Sequence, residues 1–403
     1  MRVLVLSQYF TPELTAGAAR VHAFAARLAA VGHAVHVICE VPNHPTGVIA
    51  EGYGRRPFET RSLDGFDVTY VWVPASTNKT TRSRLAAYGS YAAMASVRGA
   101  LSRRPDVVFA SSPPLPVGAA GRAVALIHRV PFVLDVRDLW PAAAVAVGEL
   151  RGERAIRAAS RLEHSLYRHA AAITTPSERS REQMAEAGVD LDKIHLLPSG
   201  TTQEWLDLGE IQVERAPLGL SDEEFVWTYA GNIGLAQDLG SAIRAAAELG
   251  TGYRLVVVGD GPLLTDMQEL AARVAPDRVR FTGLVPRAAS GRYLRASDAL
   301  LVSLAKAPGL EYAVPSKLYD CCAVGRPVVV AASGEARRLA SAHGIALTVA
   351  PGDPGSLAAA VRRLRDDGHL RDELGAAGKR FAQEHLREHQ ADRLAAILAS
   401  VSR

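Results

Sequence analysis

A short stretch carries the densest chemistry in the chain: Val314-Pro315-Ser316-Lys317-Leu318-Tyr319-Asp320, running on through Cys321 and Cys322 to Gly325-Arg326-Pro327. The pattern predicts a short helix opened by Pro315 and stopped at Gly325, with a strand resuming in Val328-Val329-Val330. Such a helix start offers unpaired backbone N–H groups and about half a positive charge. Lys317 adds a full charge in the first turn, where it does nothing for the helix itself. Asp320 follows one turn later and is placed to accept from hydroxyls. A cation, open amides and a carboxylate within one turn suit a diphosphate joined to a sugar or ribose. An ordinary surface helix with an i, i+3 ion pair satisfies the same spacing, so other stretches must decide.

Three glycine turns support the first reading. Gly231-Asn232-Ile233-Gly234, with Gln237 behind it, lies between an apolar strand and a helical pattern. Its glycines would let amides approach an anion. Gly259-Asp260-Gly261-Pro262 and Phe281-Thr282-Gly283 close two further strands. Near the start, Gln8 to Arg20 forms a small-residue turn around Gly17, without the three spaced glycines of a dinucleotide fingerprint. Asp135-Val136-Arg137-Asp138-Leu139-Trp140-Pro141 crowds charges at the end of an apolar strand. That is costly unless they serve a ligand or one another. The bland alternative is an Asp135–Arg137–Asp138 ion-pair corner. Residues 79–104 set Lys79, Arg82, Arg84, Arg98, Arg103 and Arg104 around Leu85, Tyr88, Tyr91, Met94, Val97 and Leu101. This amphipathic basic helix could cover a sheet or rest on an anionic membrane.

The elements that must position these residues alternate throughout. Strands are predicted near 2–7, 34–39, 66–73, 106–110, 132–136, 172–175 and 194–197, then near 225–230, 254–259, 279–282, 299–303, 327–330 and 345–349. Helical patterns fall between them, and a charged helical segment closes the chain at 368–402. Alternation on this scale predicts an α/β protein of two doubly wound, parallel-sheet domains, with ligands at the carboxyl ends of the strands in a cleft between lobes. The polar break near 199–222 divides them. The expected domains are 1–200, 201–380 and a C-terminal helix, 381–403, that could return to the first.

Composition agrees with two such domains. The 403 residues carry 46 basic and 42 acidic side chains for a net charge of +4, too little to argue for nucleic acid. The three cysteines, Cys39, Cys321 and Cys322, form neither a disulfide framework nor a metal spacing, so a cytoplasmic location is expected. The N-terminus reads as a buried strand and not a signal peptide, and no apolar run approaches the ~20 residues of a membrane span.

Taken in order, these motifs resemble the retaining glycosyltransferases often called family 4, and most nearly their N-acetyl-fucosamine, colanic-acid and O-antigen branch. The resemblance spans nearly the whole chain. It implies a GT-B fold, with two Rossmann-like lobes, the donor mainly in the second and the acceptor mainly in the first. It also implies transfer of a sugar from a nucleoside diphosphate, UDP most commonly, with retained configuration and no cofactor or essential metal. On this pattern Gly17, Gly231, Asn232, Gly234, Gln237, Gly259, Asp260, Gly261, Pro315, Ser316, Lys317, Leu318 and Asp320 would bind the donor. Lys317, Arg137, Asp138 and Glu311 would serve the chemistry. Asp320 matches the second acid of the family's Glu-x7-Glu motif. The first would fall at Tyr312, and the sequence leaves open whether neighbouring Glu311 replaces it. Arg137-Asp138 stands where His-Asp is usual, and Ser199-Gly200-Thr201-Thr202 where Asn-Gly-x-Asp is frequent. The frequent phosphate-binding Arg and Lys pair is not evident, which puts more weight on Lys317. The acceptor is left open between a lipid-linked glycan, with peripheral inner-membrane contact through 79–104, and a soluble small molecule. A UDP-sugar 2-epimerase lacks its expected acids and histidines here. A nucleotide-sugar-binding protein without catalysis remains the non-enzymatic rival.

Overall fold

A computed structural model describes every residue except Leu14, Pro45, Arg55, Lys79, 147–149, Arg151 and Arg403. Lys79 of the basic run and Leu14 of the first loop therefore lie outside the described residues. The chain forms two compact units. Unit 1 comprises Met1–Ser199 with Arg387–Arg403, and unit 2 comprises Gly200–Leu386.

Unit 1 contains strands β1 (Arg2–Ser7), β2 (Ala34–Glu40), β3 (Phe58–Leu63), β4 (Phe66–Val71), β5 (Val107–Ser112), β6 (Phe132–Val136), β7 (Ala172–Thr175) and β8 (Ile194–Leu196). They pair in the order β3-β4-β2-β1-β5-β6-β7-β8. All pairs are parallel except β3–β4. The connecting helices are α1 (Ala16–Ala30), α2 (Thr81–Ala100), α3 (Leu115–His128), α4 (Ala142–Ala146), α5 (Glu153–His169) and α6 (Glu178–Glu186). Strands buried on both faces read as apolar runs, as in Val3–Leu6 of β1, Val107–Ala110 of β5 and Phe132–Leu134 of β6.

One ionic cluster fixes the centre of this unit. Asp135, at the end of β6, has no exposed surface. It takes Arg20 Nη1 of α1 at 2.6 Å, Ser111 Oγ at 2.8 Å and Thr174 Oγ1 at 2.8 Å. Arg20 Nη2 donates to Leu197 O at 2.6 Å. The bland alternative of an Asp135–Arg137–Asp138 corner does not describe Asp135, whose ion pair is with Arg20. Asp135 is spent on Arg20, 115 residues away in sequence, because α1 lays that guanidinium under the strand ends. Breaking such a buried pair typically costs about 3–5 kcal/mol.

Unit 2 begins with α7 (Gln203–Leu208), β9 (Phe225–Ala230), α8 (Leu239–Leu249), β10 (Tyr253–Val258), α9 (Leu264–Val274), β11 (Val279–Gly283), α10 (Arg287–Ala296) and β12 (Ala299–Ser303). It continues with α11 (Ser316–Ala323), β13 (Val328–Ala331), α12 (Gly334–Ala342), β14 (Ala346–Val349), α13 (Pro354–Asp366) and α14 (Gly368–Glu384). Its six parallel strands run β11-β10-β9-β12-β13-β14. Side chains alternate between two cores. Phe225, Trp227 and Tyr229 of β9 pack on one face with α8, and Leu300 and Val302 of β12 pack on the other with α11.

The last helix, α15 (Arg387–Val401), belongs to unit 1, where Arg27 of α1 pairs with Asp392 at 2.7 Å. The closing helical segment is thus two helices in two units. The chain's two crossings meet inside unit 2, where Thr201 N donates to His385 O at 3.0 Å and Thr201 bridges to Leu386.

The basic helix α2 buries only Tyr91, Ala95 and Gly99, and Tyr91 Oη donates to Ile38 O at 2.9 Å. Leu85 and Val97 of the same helix, and Leu101 at its end, are exposed.

Candidate active site

The helix start at 315–317 is built by its surroundings. Pro315 takes the cap position with φ −60°, and its carbonyl accepts from Leu318 N at 3.0 Å. The amides of Ser316 and Lys317 precede that first bond and have no partner within the helix. Leu318 and Tyr319 point into the core, which turns Lys317 and Asp320 to the opposite side.

Lys317 Nζ lies 3.9 Å from the centre of the Tyr229 ring and donates to Tyr229 Oη at 2.5 Å. That hydroxyl in turn donates to Asn232 O at 2.7 Å. Burial raises the Tyr229 pKa, so the lysine's partner is a neutral phenol. Burial pushes the Lys317 pKa down to about 8, against a smaller upward pull from Cys321. The charge is thus held and partly desolvated, with no ion pair to an acid among the described residues. Asp320 Oδ1 accepts from Thr201 Oγ1 at 2.8 Å. Neither Tyr229, in the strand before the glycine turn, nor Thr201, at the break between domains, had a role at the site in the sequence reading. No local spacing links Thr201 to Asp320, 119 residues on.

The glycine turns do different work from that expected. Gly231 N donates to Val258 O at 2.8 Å, and Ile233 N to Asp260 O at 2.9 Å. Gly234 N donates to Gln237 Oε1 at 3.1 Å, with Asn232 Nδ2 at 3.5 Å from the same oxygen. These three amides are engaged within the protein. The expectation that they cradle an anion is corrected, because the turn needs them for its own structure. Gly231 is instead required by space and conformation. Its φ is +141°, and a Cβ there would lie 2.6 Å from Lys317 Nζ. Gly259 and Gly261 admit the backbone of Gly231 and Ile233, against which a Cβ would clash. Asp260 is exposed and accepts from Gly261 N at 2.7 Å. Glu311 lies in a short turn, and Gly334 at the start of α12 packs against its backbone where no side chain would fit.

Unit 1 holds the remaining candidates. Arg137 Nη2 donates to Pro113 O at 2.7 Å, and its guanidinium occupies the space a side chain at Gly17 would fill. Burial lowers the Arg137 pKa and raises that of Asp138, with the neighbouring charge of each partly opposing the shift. Gly17 therefore leaves room for Arg137 at the start of α1, in a different unit from Lys317 and Asp320. A second polar cluster escaped the sequence reading. Glu13, Glu40, Gln8 and Asn43 gather at the ends of β1 and β2. Gln8 Nε2 donates to Glu40 Oε2 at 2.7 Å, and Asn43 Nδ2 to Glu40 Oε1 at 2.9 Å. The buried acids were the available signal, and their spacing of 27 positions hid the pairing.

A lysine whose pKa lies near 8 gives a signed pH dependence. Below that value the free protein carries the cation, and a bound diphosphate keeps it protonated to higher pH. Affinity for a nucleoside diphosphate should be flat below about pH 8 and then fall roughly tenfold per unit until the bound-state pKa is passed. Calorimetric titration of UDP between pH 6.5 and 9.5 measures this, and a flat profile across that range contradicts it.

Comparison with known proteins agrees with this architecture. Residues 15–200 match the glycosyl transferase 4-like domain, and residues 210–381 match the glycosyl transferases group 1 domain. The glycosyl transferase WcaI of Escherichia coli, named for colanic acid biosynthesis, is 26% identical over 383 residues, 90% of this chain and 92% of that one. The 2-deoxystreptamine glucosyltransferase of Streptomyces kanamyceticus is 29% identical over 214 residues, 51% of this chain and 54% of that one. Among solved structures, Anabaena HepE in complex with UDP and glucose is similar, with a TM-score of 0.75 at 17% identity over 99% of this chain and 100% of that one. The chain belongs to the glycosyltransferases: a hexosyltransferase of GT-B fold in which a glycosyl transferase 4-like domain precedes a group 1 domain.

Proposed function

We propose that the chain transfers a sugar from UDP to an acceptor hydroxyl with retention of anomeric configuration and without a metal. The observation that carries this is Lys317, a half-buried cation set against a neutral phenol at a helix start, with Asp320 one turn away. That set complements a diphosphate and a ribose. The diphosphate gains charge as the bond to the sugar breaks, and a fixed ammonium with two amides stabilises that charge where other enzymes use a divalent ion. Asp320, which accepts from Thr201 Oγ1, would receive a ribose hydroxyl. UDP is the base of choice by likeness to HepE, which is solved with UDP and glucose.

Retention follows from one-sided chemistry. The acceptor oxygen forms its bond to the anomeric carbon on the face that the diphosphate leaves. The departing phosphate oxygen takes the acceptor's proton, so no free protein base is needed. Arg137 and Asp138 of unit 1 would then steady the acceptor. Lys317→Ala and Asp320→Ala should each lower transfer by about 2–4 kcal/mol, roughly 30- to 1000-fold, in folded protein. Radiolabelled UDP-sugar turnover with and without EDTA checks both halves. Wild-type rates in the two variants, or loss of wild-type activity in EDTA, would refute the assignment.

A specific observation favours a lipid-linked acceptor. Val97, Leu101, Leu126 and Ile127 are exposed at the adjoining ends of α2 and α3, where His128 Nε2 meets Gly99 O at 2.9 Å. Arg98, Arg103, Arg104 and Arg129 flank them. Exposed apolar groups edged by arginine suit an anionic lipid surface. No helix among the described residues is long and apolar enough to cross a membrane, so contact would be peripheral. The protein should sediment with phosphatidylglycerol vesicles and not with phosphatidylcholine, and a Leu101→Glu, Leu126→Glu double variant should remain in solution. Equal recovery from both lipids, or no effect of the variant, rules the surface out.

A further inference from the structure

A pocket of about 380 Å³ opens on unit 1, lined by Pro12, Glu13, Asn43, His44, Ile49 and Glu51 among others. Glu13 is the one lining acid that is nearly enclosed, with 7% of its surface exposed. Its Oε1 is saturated, accepting from Asn43 N at 2.8 Å and His44 N at 2.9 Å. Its Oε2 has no hydrogen-bond partner among the described residues. A buried carboxylate oxygen without a donor is expensive, so such a group is kept for a donor that arrives later. Beneath it, Glu40 is held by Gln8 and Asn43, and burial followed by repulsion from Glu13 raises its pKa to about 8. Among the described residues the lining contains carboxylates, a histidine, Asn43, Thr46 and small apolar side chains, and no lysine or arginine. The edge-to-face contact of His44 on Tyr9, at 5.5 Å, braces the wall.

We infer that this pocket receives an unphosphorylated, hydroxyl-rich ring of the acceptor, and that Glu13 Oε2 accepts a hydrogen bond from one of its hydroxyls. The inference rests on the transferase reading above and adds the contact residue and the class of ring. The apolar lining residues suit the C–H face of a sugar, and the free oxygen takes a hydroxyl. Two carboxylates without a cation repel phosphate. Glu13 is a specificity-determining residue on this account, since it touches the acceptor away from the reacting atoms.

The test is saturation-transfer NMR on the full chain in the presence of UDP, with methyl α-glucoside and glucose 6-phosphate as probes. UDP-induced thermal stabilisation is measured in parallel. Methyl α-glucoside should bind and glucose 6-phosphate should not. Glu13→Gln, which keeps an oxygen for the two amides and replaces the free acceptor by a donor, should weaken glucoside binding at least about tenfold while UDP stabilisation stays unchanged. Equal glucoside binding in Glu13→Gln, or equal binding of the phosphorylated sugar by the wild type, overturns the inference. So does the absence of any sugar signal in protein that UDP still stabilises, and that result leaves the donor assignment standing. Absence of UDP stabilisation in the wild type strikes the transferase reading itself.

Discussion

An ammonium kept in a largely buried place, without an acid to neutralise it, is the constraint on which unit 2 depends. A lysine so placed loses hydration that only a polar neighbour and an eventual anion restore. The Tyr229 ring and hydroxyl give the first part. Tyr229 can do so because β9 delivers it from the core, and because its own proton is committed to Asn232 O. Gly231 follows at once, at φ +141°, since any side chain there would strike Lys317 Nζ. Gly259 and Gly261 are then needed to let the next turn pack against Gly231 and Ile233. Two glycine turns that read in sequence as separate phosphate loops are, with Tyr229, one device for presenting a single cation.

Unit 1 uses the opposite solution at the corresponding strand ends. There the charge on Arg20 is fully matched by Asp135, so the pair serves the fold. The groups left with unused capacity lie around it. Arg137 Nε and Glu13 Oε2 are both buried without a partner among the described residues. Arg20 Nε is likewise buried without a partner among the described residues, so what sets the pair apart is the carboxylate it meets in Asp135 and not complete satisfaction of its polar atoms.

Much of this was legible in the sequence, for definable reasons. Parallel strands buried on both faces write themselves as apolar runs, and the strands of unit 2 fall within a residue or so of where those runs predict. Strand β3 was missed because Phe58–Leu63 is a polar antiparallel edge. Its signal was present in Asp64-Gly65, both at positive φ, the turn that joins it to β4. Helices α4 and α7 were missed because five or six residues carry too little periodicity to read. At the site, Lys317 and Asp320 were legible because one helical turn relates them. Thr201 on Asp320, Arg20 on Asp135 and Gln8 on Glu40 were not, since each joins residues that only the fold brings together. The glycines were seen, and their purpose was misjudged, because a glycine required for close packing looks in sequence like one required for a phosphate.

The central claim is that Lys317 presents its charge to a nucleoside diphosphate. The most direct measurement is a thermal-shift titration with UDP, run side by side on the wild type and on a Lys317→Met variant that keeps the aliphatic stem over Tyr229. The account predicts a rise in melting temperature that grows with UDP concentration in the wild type and is nearly abolished in the variant. Equal stabilisation of both proteins by UDP would contradict it.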